Sequence, residues 1–209
     1  MSEPSENPTY KFYYFNFRGL GEPIRLLLAY GGIEYEDVRI PKEEWPEHKP
    51  TMPLHQMPVL EIDESRVYQH VSILRYLGKK VGLSGESDWE NLQIDMVADI
   101  MNEFRLKLVG VYQETDEEIK AKKLEDIKNE TIPLYLGKLD GMVEENNGYL
   151  VAGKLTWVDV YLAGISDLWK LLAGYDVAAD YSNLQNAIEN VNSIETIKNW
   201  IENRPETEF

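Results

Sequence analysis

Two neighbouring features of the sequence can together bind a small peptide. Residues 59–62 are apolar and β-branched enough for a short strand, and they follow Met57 and Pro58. The backbone of Met57 can pair with an extended ligand as an added strand would, and a cis bond to Pro58 would expose it, although trans is the default. After a predicted hairpin the hydrophobic period becomes helical, and Gln69 and His70 open the helix. The free N–H groups at that helix start can hold a carboxylate.

This stretch resembles the glutathione site of the cytosolic glutathione transferases, and the resemblance extends in order over nearly the whole chain. It implies that Gln56 and Met57, beside Pro58, pair with the cysteinyl part of glutathione, and that Gln69 and His70 hold the γ-glutamyl carboxylate. The family usually has serine where this chain has His70. A charged imidazole would oppose the helix dipole, so we expect a neutral ring that donates one N–H. Alternatively, His70 only fills space.

Tyr14 ends the first predicted strand, and the motif KFYYFN at residues 11–16 matches the sigma class, whose tyrosine is catalytic. A free thiol with a pKa of about 8.5 is only slightly ionised at neutral pH, whereas a phenol with a pKa of about 10 stays protonated and can donate to a sulfur anion. Lowering the thiol pKa by about two units requires about 2.7 kcal/mol, and one charge-assisted hydrogen bond supplies about 1.5–3 kcal/mol. Without the resemblance, Tyr14 would be one of 13 tyrosines, packing a strand.

The resemblance assigns further residues to the ligand. Trp45 and Lys49 would hold the glycine carboxylate of glutathione, because an indole N–H and an ammonium are suitable donors. Glu103, where the family usually has aspartate, would reach the ligand's amino group in the other subunit of a homodimer. Without the resemblance, Trp45 could be a half-buried tryptophan and Lys49 a surface lysine with no ligand. Glu103 could be part of a solvated acidic helix face. By position, the lining of the electrophile pocket consists of Phe17, Gly19, Leu20, Asn102, Arg105, Tyr161 and Phe209.

No metal or cofactor is expected, and glutathione is a co-substrate. Asp99, Asn102 and Glu103 cover the acidic positions that bind a divalent ion in the prostaglandin D synthase branch, but Asn102 replaces one carboxylate. The three histidines lack metal-ligand spacing, and the chain has no cysteine, so a reacting thiol must arrive with the ligand. Leu20 and Gly110 stand where the vertebrate prostaglandin synthase has arginine and tryptophan, which weakens an isomerase interpretation.

The elements that must position these residues form two predicted domains. Residues 1–8 are expected to be a disordered tail, and 9–81 an α/β thioredoxin-like domain with the order strand, helix, strand, hairpin, helix. Residues 82–87 form a flexible linker, and 88–209 an all-helical domain that completes the electrophile pocket and the dimer interface. The net charge of −16 disfavours nucleic-acid and membrane partners. Without an apolar signal or spanning segment, the chain is expected to be cytoplasmic.

The resemblance is to a sigma-class glutathione transferase of invertebrates. It implies attack of the glutathione thiolate on hydrophobic electrophiles such as unsaturated aldehydes, a detoxification. Two alternatives within enzymes are glutathione-dependent isomerisation of prostaglandin H2 and peroxide reduction. Two alternatives without catalysis are a crystallin-like structural protein and a carrier of hydrophobic ligands.

Overall fold

A four-stranded sheet forms the centre of the first half of the chain. The computed structural model describes residues 3–207, so Phe209 lies outside the described part. The strands are β1 (Tyr10–Phe15), β2 (Glu36–Ile40), β3 (Val59–Ile62) and β4 (Ser65–Tyr68), in the order β2-β1-β3-β4. β1 is parallel to β2 and antiparallel to β3, which in turn is antiparallel to β4. The parallel pair is joined by a crossover helix and the last pair by a hairpin, which confirms the predicted thioredoxin-like plan.

Three helices belong to this half: α1 (Glu22–Tyr30), α2 (Trp45–His48) and α3 (His70–Lys80). Two 3-10 turns, Lys49–Thr51 and Pro53–His55, lie between α2 and β3. The segment from 41 to 58 contains five prolines, which remove backbone donors and explain why it forms only short turns.

Alternation along β1 decides which tyrosines enter the core. Tyr10, Phe12 and Tyr14 are buried in the main hydrophobic core, whereas Lys11 is exposed. Tyr13 lies on the other face and packs against a small second cluster. Because successive strand side chains point to opposite faces, Tyr14 faces the main core and Tyr13 faces the smaller cluster.

The second half of the chain is helical, as predicted. Its helices are α4 (Asp88–Tyr112), α5 (Glu117–Asp126), α6 (Ile132–Glu145), α7 (Trp157–Ala173), α8 (Ser182–Asn192) and α9 (Glu195–Asn203). The sequence predicts a kink at Pro133, and the structure has a π-helical turn, Ile127–Thr131, just before it. Pro133 is the second residue of α6, where its missing N–H costs little.

α7 is the central helix of this half, and it starts with the capping box that the sequence predicts. The Asp159 carboxylate accepts hydrogen bonds from the backbone N–H and the hydroxyl of Thr156, both at 2.8 Å, and from the backbone N–H of Leu150 at 2.8 Å. Burial raises the pKa of Asp159 to about 6, against these hydrogen bonds, which lower it.

Two glycines let the helical half approach the sheet half closely. A Cβ atom built on Gly164 of α7 would lie 2.6 Å from the Cα of Pro23 in α1, and one on Gly78 of α3 would lie 2.5 Å from the Cβ of Trp157. The indole N–H of Trp200 and the Arg204 guanidinium donate to the buried Glu22 carboxylate at 2.9 and 2.7 Å. The contacts of Gly164 and Glu22 dock α7 and α9 against α1, at the end of the loop that follows Tyr14, and the contact of Gly78 docks α7 against α3.

The chain start contacts the hairpin. The Asp63 carboxylate in the β3–β4 turn accepts the backbone N–H groups of Ser5 at 2.9 Å and Thr9 at 3.0 Å, which lowers its pKa. The domain boundaries proposed from the sequence stay predictions. Within residues 3–207, no helix is both long and apolar enough to cross a bilayer.

Candidate functional site

A cavity of about 450 Å³ opens between the sheet half and α4. The sheet half contributes most of its wall, including the short turns before β3 and the start of α3, and α4 contributes Asn102 and Arg105. The predicted glutathione residues on this wall are Trp45, Gln56, Met57, Pro58, Gln69 and His70. The structure therefore brings together residues as far apart in the chain as Phe15 and Arg105.

The segment before β3 has the geometry of a strand edge. Gln56 has an extended backbone, with φ −140° and ψ 157°, and the Met57–Pro58 peptide is cis. The β1–β3 ladder begins only at the pair Tyr13 and Val59, so Gln56 and Met57 lie beyond it. An extended peptide ligand can pair with this stretch.

The start of α3 supplies an anion site at the same cavity. Gln69 is the N-cap residue, with φ 74°, and its side chain makes no capping hydrogen bond within the described chain. The first N–H groups of a helix lack intrahelical partners, so here they are available to a carboxylate.

His70, the first residue of α3, is 8 % exposed. Its Nε2 atom lies 3.1 Å from the hydroxyl oxygen of Tyr161. Burial, with the nearby positive charge of Arg105, lowers the pKa of His70 to about 4. With this pKa the ring is neutral at physiological pH, because of burial and Arg105; the contribution of the helix dipole stays an expectation.

Tyr14 packs against the loop between β1 and α1. Its hydroxyl oxygen accepts the backbone N–H of Leu20 at 2.9 Å, and its ring packs edge-on against Phe17 with centroids 5.4 Å apart. Burial raises the pKa of Tyr14 to about 12, although the Leu20 hydrogen bond and the charges of Arg25 and Arg105 lower it. The phenol therefore stays protonated. Tyr14 is 5 % exposed and lies behind Leu20, so it is not itself one of the residues that line the cavity.

Gly19 and Gly21 leave the space that Tyr14 occupies. A Cβ atom on Gly21 would lie 2.4 Å from the ring carbon Cδ1 of Tyr14, and one on Gly19 would lie 2.8 Å from the hydroxyl oxygen. Gly19 also has φ +40°, a conformation that favours glycine. From the sequence, Gly19 is expected in the pocket lining, and no steric role is expected for Gly21. The spacing of the two glycines before Glu22 was the only available signal.

Arg105 supplies a positive charge to the cavity wall. Its Nε and Nη2 groups donate to the Asn102 side-chain oxygen at 3.1 and 2.9 Å, which fixes the guanidinium on α4. Tyr14 and Tyr161 both experience this charge. In a protein of net charge −16, a local cation of this kind is what an anionic ligand requires.

Other predicted residues lie off the wall that the described residues form. Lys49 is exposed on its 3-10 turn, and Phe17 and Gly19 pack beside Tyr14. Tyr161 is fully buried behind His70, so it does not line the pocket as position suggested. Leu20, Asn102 and Arg105 do line the cavity.

Glu103 projects from the exposed side of α4. Its carboxylate accepts the Tyr135 hydroxyl at 2.6 Å and lies 3.7 Å from the Lys107 ammonium. Lys107 is four positions further along α4, a spacing that the sequence shows, whereas Tyr135 belongs to α6 and could not be found from the local pattern. In residues 3–207, no group of three or more His, Asp or Glu side chains is arranged to hold a metal ion.

The fold and the site define a thioredoxin-like domain followed by a helical domain, with a cleft for a small peptide between them. The model of the glutathione S-transferase N-terminal domain matches residues 10–79, and that of the C-terminal domain matches 102–204. The chain is 52 % identical to glutathione S-transferase S1 of Drosophila melanogaster over 96 % of this chain and 80 % of the relative. It is 51 % identical to a glutathione S-transferase of Anopheles gambiae over 96 % and 99 %.

A solved structure, prostaglandin synthase D of Nilaparvata lugens, superimposes with a TM-score of 0.91 at 44 % identity and covers 96 % of this chain and 100 % of its own. The chain therefore belongs to the glutathione S-transferase family, and it is a sigma-like enzyme of that family.

Proposed function

We propose that this enzyme transfers the glutathione thiolate to neutral, hydrophobic electrophiles such as unsaturated aldehydes, with Tyr14 as the hydrogen-bond donor to the sulfur. One observation carries the proposal: the Tyr14 hydroxyl oxygen already accepts the Leu20 N–H at 2.9 Å, so its own proton remains for the ligand. Accepting one hydrogen bond also strengthens the hydroxyl as a donor.

The high pKa of Tyr14 supports a donor role and not a base role. With a pKa of about 12, the phenol holds its proton throughout the physiological range. The glutathione thiol therefore loses its proton to solvent, and the Tyr14 O–H and the Arg105 charge stabilise the resulting thiolate. The thiolate then forms a carbon–sulfur bond to the β-carbon of the aldehyde. The enolate that results takes a proton from water, so the reaction is an addition with no leaving group.

The same proposal assigns roles to the other residues of the glutathione site. Gln56 and Met57 pair with the cysteinyl backbone, and the α3 start with Gln69 and His70 holds the γ-glutamyl carboxylate. Trp45, on the cavity wall, and Lys49 hold the glycine carboxylate. Lys49 is exposed on its turn, so its ammonium must swing toward the ligand.

The proposal includes a homodimer in which Glu103 contacts the ligand amino group of the other subunit. That contact requires the carboxylate to share or release its 2.6 Å hydrogen bond with Tyr135. Glutathione is the co-substrate, and no metal or organic cofactor takes part. Because the resemblance is to the cytosolic members of the family, we place the enzyme in the cytoplasm, without nucleic-acid or membrane partners.

The substrate class follows from charge. A protein of net charge −16 repels anionic electrophiles, and the one cation that α4 contributes to the described wall, Arg105, lies where it can stabilise the sulfur anion. Neutral aldehydes meet no such repulsion. Prostaglandin H2 isomerisation is a second candidate, because the solved structure with a TM-score of 0.91 is that of a prostaglandin synthase. Leu20 and the open space beside Gly110 weaken it, since neither supplies the arginine or tryptophan of the vertebrate enzyme.

The test is Tyr14→Phe, with Tyr13→Phe as the matched control on the opposite strand face. Tyr14→Phe is expected to raise the pKa of the bound glutathione thiol by about two units and to lower the conjugation rate at neutral pH up to about 100-fold, because about 2.7 kcal/mol of thiolate stabilisation is lost. Tyr13→Phe is expected to leave both unchanged. Conjugation near the wild-type rate in Tyr14→Phe would show that the assigned role is wrong.

A panel of electrophiles, assayed with and without glutathione, tests the substrate class. Unsaturated aldehydes should react faster than prostaglandin H2 and peroxides. Binding of hydrophobic compounds without any product would favour a carrier, and failure to bind immobilised glutathione would favour a crystallin-like protein.

A further inference from the structure

His70 and Tyr161 form a buried pair that joins the start of α3 to α7. The Nε2 atom of His70 lies 3.1 Å from the Tyr161 hydroxyl oxygen, and the two rings meet edge to face with centroids 5.8 Å apart. Tyr161 is fully buried, whereas His70 also lines the cavity. The pair therefore has one member in the protein interior and one at the ligand site.

The proton in this hydrogen bond belongs to Tyr161. Burial raises the pKa of Tyr161 well above the ordinary value of 10, so its hydroxyl is protonated. Among the residues that the structure describes, Nε2 of His70 is the only hydrogen-bond partner of that hydroxyl. If Nε2 carried the imidazole proton, the buried hydroxyl proton would have no acceptor, which is unfavourable. Nε2 is therefore the acceptor, and the single proton of the neutral ring is on Nδ1.

Nδ1 is the ring nitrogen that remains for a ligand. It has no hydrogen-bond partner within residues 3–207, and it is not among the enclosed polar atoms without a partner. His70 lines the cavity as the first residue of α3, beside the free helix N–H groups. A neutral N–H donor at this place adds to the attraction of the helix start for a carboxylate, because it carries no positive charge to oppose the dipole.

We propose that Tyr161 is a positioning residue for glutathione: its hydroxyl fixes His70 in the tautomer that donates Nδ1–H to the γ-glutamyl carboxylate. The inference depends on the proposed function, since the carboxylate is that of glutathione. A serine hydroxyl at this position can rotate to donate, whereas a neutral imidazole donates from only one nitrogen. Histidine thus needs a second residue that selects the nitrogen, and Tyr161 is that residue.

The kinetic test is Tyr161→Phe, measured in the full-length enzyme. Without the hydroxyl, both tautomers of His70 are populated, and KM for glutathione is expected to rise about five- to ten-fold. The value of kcat and the KM for the electrophile should change less than two-fold, because the proposal assigns His70 to the γ-glutamyl end of glutathione, away from the sulfur. Tyr35→Phe is the matched control: it also removes a buried tyrosine hydroxyl, one without a partner in the described chain, and should leave all three constants unchanged.

A second background separates positioning from packing. The amide of His70→Asn donates without any choice of tautomer, so in that background Tyr161→Phe should change KM for glutathione less than two-fold. If Tyr161→Phe raises KM equally in both backgrounds, it acts through packing and the inference is wrong.

Nitrogen NMR of the ligand-free protein gives a readout that needs no activity. The chain has only three histidines, and the His70→Asn variant assigns the His70 signals by their loss. We expect a protonated Nδ1 and an unprotonated Nε2 in the wild type, and a mixture in Tyr161→Phe. A proton on Nε2 in the wild type would overturn the inference even if the enzyme conjugates glutathione normally. If the expected tautomer is found but glutathione does not bind, the proposed function fails instead.

Discussion

Gly21 lies so close to the ring of Tyr14 that no larger residue fits: a Cβ atom there would be 2.4 Å from Cδ1 and 2.9 Å from Cγ. The backbone of Gly21 itself is ordinary, with φ −79° and ψ −32°. The glycine is therefore required by the space that the tyrosine ring occupies and not by its own conformation.

Gly21→Ala should displace the Tyr14 ring and with it the hydroxyl. We expect kcat/KM for conjugation to fall at least ten-fold, since a misplacement of about 1 Å at a catalytic group can cost about 100-fold. Gly141→Ala in α6 is the control, because a Cβ there meets nothing within 4 Å. That variant should keep full activity and gain about 0.5–1 kcal/mol in the free energy of unfolding. Equal activity in the two variants would contradict the steric argument.

The affinity for glutathione should not depend on histidine titration. With a pKa of about 4, His70 remains neutral between pH 5.5 and 7.5. We expect KM for glutathione to be constant over that range, measured at saturating electrophile. A KM that changes ten-fold across the range, and no longer does so in His70→Asn, would show that the ring becomes charged in the binding range.

The stability of the protein should fall in mild acid because of His70. The ring is protonated near pH 6.5 in the unfolded chain but only near pH 4 in the folded protein. The unfolded state thus binds more protons between these values, and the loss of folding free energy as pH falls from 6.5 to 4 is about 3 kcal/mol. Urea unfolding of His70→Asn should show a shallower decline than wild type over this range. Parallel curves would contradict the buried neutral ring.

Asp159 should have the opposite effect on the pH dependence of stability: its contribution should decrease as pH rises. Its pKa is raised from 3.8 to about 6, so the unfolded state loses this proton first as pH rises. The contribution of Asp159 to stability therefore decreases between pH 3.8 and 6, by roughly 3 kcal/mol. Asp159→Asn loses acceptors for its three donors and should be less stable throughout. The gap to wild type should nevertheless narrow as pH rises from 4 to 6, as urea unfolding at several pH values would measure. A gap that widens would show that the carboxylate is already ionised in the folded state.

Arg204 should contribute more to stability than an exposed lysine. The Glu22 carboxylate is 3 % exposed and accepts a 2.7 Å hydrogen bond from Arg204. Arg204→Met leaves this buried charge with fewer partners, and we expect a loss of about 3 kcal/mol in urea unfolding. Lys198→Met breaks an exposed 3.8 Å ion pair with Glu202 and should cost less than about 1 kcal/mol. Similar losses of stability in Arg204→Met and Lys198→Met would mean that the Glu22 carboxylate is better hydrated than its burial indicates.

Most of the fold can be predicted from local sequence patterns. The alternation in β1, the change of period at the start of α3 and the cap at Thr156 each depend on residues a few positions apart, so the sequence predicts them. The positions of Gln69 and His70 at one helix start are local in the same way.

Contacts between distant elements could not be predicted in this manner. His70 and Tyr161 are 91 positions apart, and their pairing depends on how α7 docks against α3. The same holds for Glu103 and Tyr135, which meet only because α6 packs beside α4. The π-helical turn before Pro133 also escaped prediction, since the sequence shows where a proline interrupts a helix but not how the preceding turn adjusts.

The two glycine contacts, Gly164 on Pro23 and Gly78 on Trp157, bring main chain against main chain or against an indole ring with no room to slide. Side-chain rotation cannot widen these junctions of α7 with α1 and α3. Because α4 packs against α7, its distance from the sheet half should also stay nearly constant. Accommodation of bulky and slender acceptors then falls to the side chains of Leu20 and Arg105 at the rim of the cavity. The range of compounds that the enzyme accepts should accordingly change with substitutions at that rim and stay insensitive to substitutions that loosen the outer helices.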